Sequence, residues 1–177
     1  MKTRGNVILI GMSGAGKSTL GVLLAKALGK DFVDTDLIIQ QRTKKLLQEI
    51  LDDEGVERFM EIEEEVVCEL DLSNTVIATG GSVVYSEAAM RALGESGVTV
   101  YLAVEYGELA GRLSNITTRG IVFRDASDLR GVYEERLPLY ERYADVRVNC
   151  TGQGVEQSVG EILCALKHME AHGRMKD

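Results

Sequence analysis

The chain has 177 residues, 45% of them hydrophobic and 27% charged, enough for one domain with a substantial core. Its formal net charge is −8 and its isoelectric point about 4.9, which argues against a general nucleic-acid binder, since such proteins carry a basic face. Cys68, Cys150 and Cys164 form no Cys-x-x-Cys pair and read as reduced, mostly buried thiols, and no apolar run approaches the ~20 residues that span a bilayer.

Met1-Lys2-Thr3-Arg4 leads into the first strand with no secretory signal, so a cytoplasmic setting is expected. Asn6-Val7-Ile8-Leu9-Ile10 is a short apolar run of the kind that forms a buried parallel strand. Gly11-Met12-Ser13-Gly14-Ala15-Gly16-Lys17-Ser18 then fits the pattern G-x-x-x-x-G-K-[ST]. Its glycines let the backbone curl so that successive N–H groups point at one anion. Lys17 reaches over the terminal phosphates, and the Ser18 hydroxyl can meet a Mg²⁺ ion. Leu20, Leu23, Leu24, Ala27 and Leu28 recur at helical spacing, and the helix N-terminus adds its dipole beneath the phosphates. Strand, glycine loop and helix in that order mean nucleoside triphosphate binding through Gly11, Ser13, Gly14, Ala15, Gly16, Lys17, Ser18 and Thr19.

Gly29 stops the first helix, and Phe32-Val33 begins a strand that ends in Asp34-Thr35-Asp36, where open α/β sheets place their ligands. Leu37 to Leu51 has helical periodicity, broken by Asp52-Asp53-Glu54-Gly55. A long helix from about Val56 to Asp71 follows, whose glutamate run reads as a solvated face. Thr75 to Ala78 is a third strand, Thr79-Gly80-Gly81-Ser82 a turn, and Ser86 to Leu93 a short helix with Ser86 as N-cap. Val98 to Leu102 is a fourth strand, followed by a helix from Glu105 to Leu113 that carries Arg112. Between Asn115 and Asp128 the periodicity fades while Arg119, Gly120 and Arg124 appear, which suggests a mobile loop. Leu129 to Tyr143 is helical, with Pro138 expected to kink or divide it. Asp145 to Val148 is a fifth strand and Val155 to about Met169 a closing helix. His168 and His172 have no third ligand beside them and read as a solvated helix end. Alternating strands and helices predict a three-layer α/β/α architecture, a five-stranded parallel sheet with right-handed crossovers, in one domain over residues 1–177.

The chain lacks the Asn-Lys-x-Asp motif of guanine-specific switch proteins and is too short for a large motor ATPase. A compact small-molecule kinase with an arginine-bearing lid remains, because phosphoryl transfer needs positioning and positive charge more than covalent chemistry. The order Gly11…Lys17-Ser18, Asp34-Thr35-Asp36, Gly80-Gly81, a lid arginine and Arg136-Leu137-Pro138-Leu139-Tyr140 resembles the shikimate kinase family over roughly Val7 to Leu166.

The resemblance implies the fold of nucleoside monophosphate kinases, with substrate-binding helices at about 37–71 and a lid at about 115–128. It also implies ATP as co-substrate and Mg²⁺ as cofactor. By motif position, Ser18 and Asp34 would attend the Mg²⁺ and its water shell. Asp36 would meet the acceptor's hydroxyls and help take the proton of the attacking one. Gly80 and Gly81 would let the backbone approach the substrate, and Arg136 would grip its carboxylate. Arg119 matches the lid arginine on the phosphates, and Arg112 the position that stacks on adenine. Lys17, Asp36 and Arg119 thus form the implied catalytic set. Small-molecule partners, no nucleic acid, no membrane, and a monomer or weak dimer complete the expectation.

Departures concentrate on the acceptor side. The family's Gly-Glu-x-x-Phe-Arg is here Gly55-Val56-Glu57-Arg58-Phe59-Met60, so the second clamp arginine has become Met60. Arg58 is two residues off, about 200° around a helix, and should face elsewhere. Thr79 replaces the first of three glycines and should narrow the pocket, and the lid motif Arg-Pro-Leu has become Arg119-Gly120-Ile121. Three readings follow: phosphorylation of shikimate itself; a kinase of the same fold acting on another small hydroxy acid or amino alcohol, such as homoserine or gluconate; and a nucleotide-binding regulator without catalysis. An amino acid substrate would need an anion for its ammonium, which the stretch Glu57 to Glu65 could supply.

Overall fold

The first apolar run becomes β1 (Asn6–Ile10), every residue of it buried, in a computed structural model that describes residues 5–114 and 129–172. The glycine loop leads into α1 (Lys17–Leu28), and β2 (Asp31–Asp34), α2 (Thr35–Thr43) and α3 (Leu47–Cys68) follow. Next come β3 (Thr75–Ala78), a 3-10 turn at Val83–Tyr85, α4 (Glu87–Ser96), β4 (Gly97–Ala103) and α5 (Tyr106–Ser114). After residues 115–128 come α6 (Leu129–Tyr143), β5 (Val146–Asn149) and α7 (Val155–His172).

The five strands pair in parallel in the order β2-β3-β1-β4-β5. β1 is central: Val7 sits opposite Val76 on one side and Val98 on the other. β1 and β3 are buried throughout, which is why they read as continuous apolar runs rather than alternating ones. The chain leaves β1 and β3 at the same sheet edge, so the glycine loop and the Thr79–Ser82 turn meet there, outside the strand carboxyl ends, where such sheets bind ligands. The main core packs helices onto the sheet around Ile8, Leu9, Ile10, Leu24, Ile77 and Leu102. A smaller core of Ile39, Ile50, Phe59, Ile62 and Val66 joins α2 to α3.

Several expectations need correction. The helix read over Leu37–Leu51 is two, because Lys44 adopts a left-handed conformation (φ 59°) and ends α2. α3 starts afresh at Leu47, where the Glu49 carboxylate accepts from the Leu46 N–H at 2.6 Å. The anticipated break before Val56 is present: Gly55 is non-helical (φ 82°, ψ 171°), and α3 is two helices that meet there at a kink. Asp34 closes β2, but Thr35 and Asp36 already belong to α2. Pro138 neither ends nor divides α6. Arg136 and Tyr140, buried in the core on either side of it, anchor the helix where one backbone bond is missing. Cys150 is buried, whereas Cys68 and Cys164 are exposed. The remaining ends differ by a residue to a turn. No described helix is long and apolar enough to cross a membrane.

Candidate active site

The glycine loop holds its curl through left-handed residues: Gly16, at φ 94°, directly precedes α1 in a conformation that a side chain would strain. Lys17 is buried and folds back over the loop, its Nζ donating to the carbonyls of Gly11 at 2.7 Å and Met12 at 2.9 Å. Ser18 Oγ donates to Asp34 Oδ2 at 2.6 Å, while Asp34 Oδ1 accepts from the Asp36 N–H at 3.0 Å and caps α2. Asp34 therefore ties the start of α1 to the start of α2. Ser13, Gly14, Gly16, Lys17, Ser18, Asp34 and Asp36 line one cavity of about 360 Å³. Ala15 is buried beneath the loop.

Arg112 lies beside the loop. Its Nη1 donates to the Gly14 carbonyl at 3.0 Å, and it pairs with Glu108 one helical turn away. Glu108 also accepts from the Gly152 N–H at 2.7 Å; that bond, with Arg112, holds its carboxyl below the usual range. Arg112, Thr19, Gly16 and Cys150 line an adjoining cavity of about 210 Å³.

On the acceptor side α6 buries a charge. Arg136 is 1% exposed, donates from Nε to the Tyr85 hydroxyl at 3.2 Å and lies 5.1 Å from that ring's centroid. One turn on, Tyr140 donates to the Gly81 carbonyl at 2.7 Å and stacks on Tyr101 at 5.1 Å. Burial pushes the Tyr140 phenol far above its ordinary range and keeps it a neutral donor. Arg136, Asp36, Ser13, Phe59, Gly80 and Gly81 surround one small cavity, so the basic and acidic candidates share a space.

Glu63 is the residue that the sequence reading missed. Glu61, Glu64 and Glu65 do form a solvated face, but Glu63 is 2% exposed. Its Oε2 accepts from Ser82 Oγ at 2.6 Å, and its Oε1 has no hydrogen-bond partner among the described residues. A Cβ on Gly80 would stand 2.1 Å from that Oε1 and 3.0 Å from Asp36 Oδ1, so only glycine fits between the two carboxylates. Burial, reinforced by Asp36 and opposed by the Ser82 hydrogen bond, Arg136 and Lys17, raises the Glu63 carboxyl to about 7. A signal for it existed: Phe59, Ile62, Glu63, Val66 and Val67 occupy one helical stripe, and the others are apolar.

Met60 does not line the small cavity. It borders a neighbouring one of about 390 Å³ with Val56, Glu57, Glu63, Glu64 and Tyr85, which meets the first at Ser82. Arg58 turns outward onto Glu61 at 2.9 Å and Glu65 at 3.2 Å. The Thr79 hydroxyl is engaged by the Leu9 carbonyl at 3.0 Å, back toward β1. Arg119, Gly120, Ile121 and Arg124 lie outside the described residues.

The comparisons agree with this geometry. The shikimate kinase family model matches residues 13–167. A shikimate kinase of Bacillus anthracis is 34% identical over 158 residues, covering 89% of this chain and 95% of that protein. One from Thiobacillus denitrificans is 39% identical over 158 residues, covering 88% and 86%. The solved structure of a shikimate kinase from Acinetobacter baumannii in complex with shikimate aligns with a TM-score of 0.85 at 30% identity, covering 93% of each chain. A loop built for triphosphate, a buried arginine facing an aspartate across a small cavity, and likeness over nearly the full length converge: the chain belongs to the shikimate kinase family and is an ATP-dependent phosphotransferase.

Proposed function

We propose that the chain transfers the γ-phosphoryl group of ATP to a hydroxyl of shikimate, yielding shikimate 3-phosphate and ADP in aromatic amino acid biosynthesis. The observation that carries this reading is the buried Arg136 guanidinium in one small cavity with Asp36. A forked, permanently charged donor in a nearly dry site suits a carboxylate, and a carboxylate across from it suits the proton of an attacking hydroxyl. In the transfer, the acceptor oxygen bonds to the γ-phosphorus as the bond to the β–γ bridging oxygen breaks. ADP departs, and the hydroxyl proton passes to Asp36. Lys17 exchanges its two carbonyl partners for phosphate oxygens, Gly11 to Thr19 cradle the phosphates, and Arg112 flanks the adenine. Arg119 is assigned to the phosphates by motif position alone. The oxygens of Ser18 and Asp34, 2.6 Å apart, are the hard donors that Mg²⁺ takes, and these residues would hold it. When bound, the ion neutralises charge on the phosphates. Small molecules are the partners, and the working unit is a cytoplasmic monomer or weak dimer.

The test is ADP release with Mg-ATP against shikimate, homoserine, gluconate and no acceptor. Turnover on shikimate supports the reading, whereas turnover on another acceptor alone overturns it. Met60 in place of a basic clamp favours that second outcome, a kinase of another small hydroxy acid.

A further inference from the structure

A carboxylate oxygen without a donor is costly to keep at the wall of a binding site. Glu63 Oε1 is such an oxygen, buried and without a hydrogen-bond partner among the described residues, while Oε2 is held by Ser82 at 2.6 Å. Oε1 and Asp36 Oδ1 crowd the same point beside Gly80. Glu63 borders the larger cavity, where Met60 offers an apolar wall and Glu57 and Glu64 add negative charge, and Asp36 lines the small one, the two meeting at Ser82. Arg58 is drawn away onto Glu61 and Glu65. The charged groups facing Glu63 from the packed elements are Asp36 of α2, Lys17 of α1 and Arg136 of α6. Both bases are already engaged, Lys17 by the Gly11 and Met12 carbonyls and Arg136 by Tyr85.

We propose that the same site accepts small hydroxy acids bearing a primary ammonium group, which sits between Glu63 Oε1 and Asp36 while Arg136 holds the carboxylate. This rests on the phosphotransferase reading above and adds an acceptor class to it. An ammonium carries three donors, enough to satisfy Oε1 and Asp36 together, where a hydroxyl carries one. It also relieves the repulsion between two neighbouring carboxylates. The transfer keeps its balance: the acceptor oxygen gains the γ-phosphoryl, ADP leaves, the hydroxyl proton passes to Asp36, and the ammonium is unchanged. Because Glu63 titrates near 7, its seat becomes anionic as pH rises through neutrality, while the amine of a free amino acid still carries its proton.

The experiment measures kcat/KM with Mg-ATP for two matched pairs: homoserine against 4-hydroxybutyrate, and an amino-deoxy shikimate, with a non-transferred ring hydroxyl replaced, against shikimate. We expect the amine to be preferred at least tenfold in one pair, the preference to grow from pH 6 to pH 8, and Glu63→Gln to erase it. If Glu63→Gln does not fold, Met60→Arg, which brings a guanidinium beside Glu63, should shrink the preference instead. No preference in either pair, or one that survives these substitutions, overturns the inference. Turnover of shikimate with none of either amine overturns it and leaves the proposed function standing. Turnover of the amines alone supports it and overturns shikimate as the acceptor, and silence on all four overturns both.

Discussion

Asp36 and Arg136 share one small cavity, and a single substitution isolates the role proposed for Asp36. Asp36→Asn keeps the size and the α2 cap, which uses the backbone N–H of Asp36, but removes the proposed proton acceptor. Turnover should fall by about 10²- to 10⁴-fold while ATP affinity stays within a few-fold, as steady-state rates and an ATP titration will show. Met60→Arg restores a cation beside the acceptor cavity. One added charge-assisted contact of about 1.5–3 kcal/mol should lower the shikimate KM ten- to hundredfold. Glu63 gives a third prediction. Its carboxyl is raised from 4.5 to about 7 in the folded protein, so the folded state holds a proton that the unfolded chain has lost. Its contribution to stability is thus fully present below pH 4.5 and is lost as pH rises through 7. Glu63→Gln should flatten that fall, making the variant relatively more stable at pH 8 by up to about 3 kcal/mol in denaturant melts. Residue by residue, the nucleotide side was legible because loop geometry demands particular residue types in a fixed order. Glu63 was not, because four nearby glutamates (57, 61, 64 and 65) are exposed and hide one that follows the apolar stripe.

The paired helices α2 and α3 hang the acceptor side from the sheet through Asp34 and the five-residue core around Phe59. Phe59 is 2% exposed and also lines the small cavity, so it is both keystone and wall. Phe59→Ala should cost about 3–5 kcal/mol and raise the acceptor KM more than the ATP KM. A thermal melt and paired KM measurements check this. Element types followed from periodicity, and the parallel sheet from their alternation. The ends around Lys44 were not readable, because a left-handed lysine is no ordinary stop signal. Pro138 does not divide α6, because Arg136 and Tyr140, buried on either side of it, anchor the helix in the core.

Over the whole molecule, a large core around the sheet and a small one between two helices predict unequal local stability. Amide exchange should be slowest in β1 and β4 and faster across α2 and α3, and acceptor with nucleotide should slow the second set. Equal protection throughout would mean that the two cores unfold as one. The chain is acidic, with a net charge of −8, yet places Lys17, Arg112 and Arg136 along the cavities at one sheet edge. Positive charge is concentrated where anionic ligands must arrive.

The aromatic pair beneath that edge has an optical consequence. The chain has six tyrosines and no tryptophan, so its near-ultraviolet spectrum comes chiefly from tyrosine. Tyr140 donates to the Gly81 carbonyl while stacked on Tyr101, and Tyr85 lies against the Arg136 guanidinium. A carboxylate arriving at Arg136 changes the field on the Tyr85 ring directly and on the stacked pair one helical turn away. Occupancy of the acceptor cavity is therefore written into the protein's own circular dichroism between about 270 and 290 nm, where an unlabelled titration can follow it.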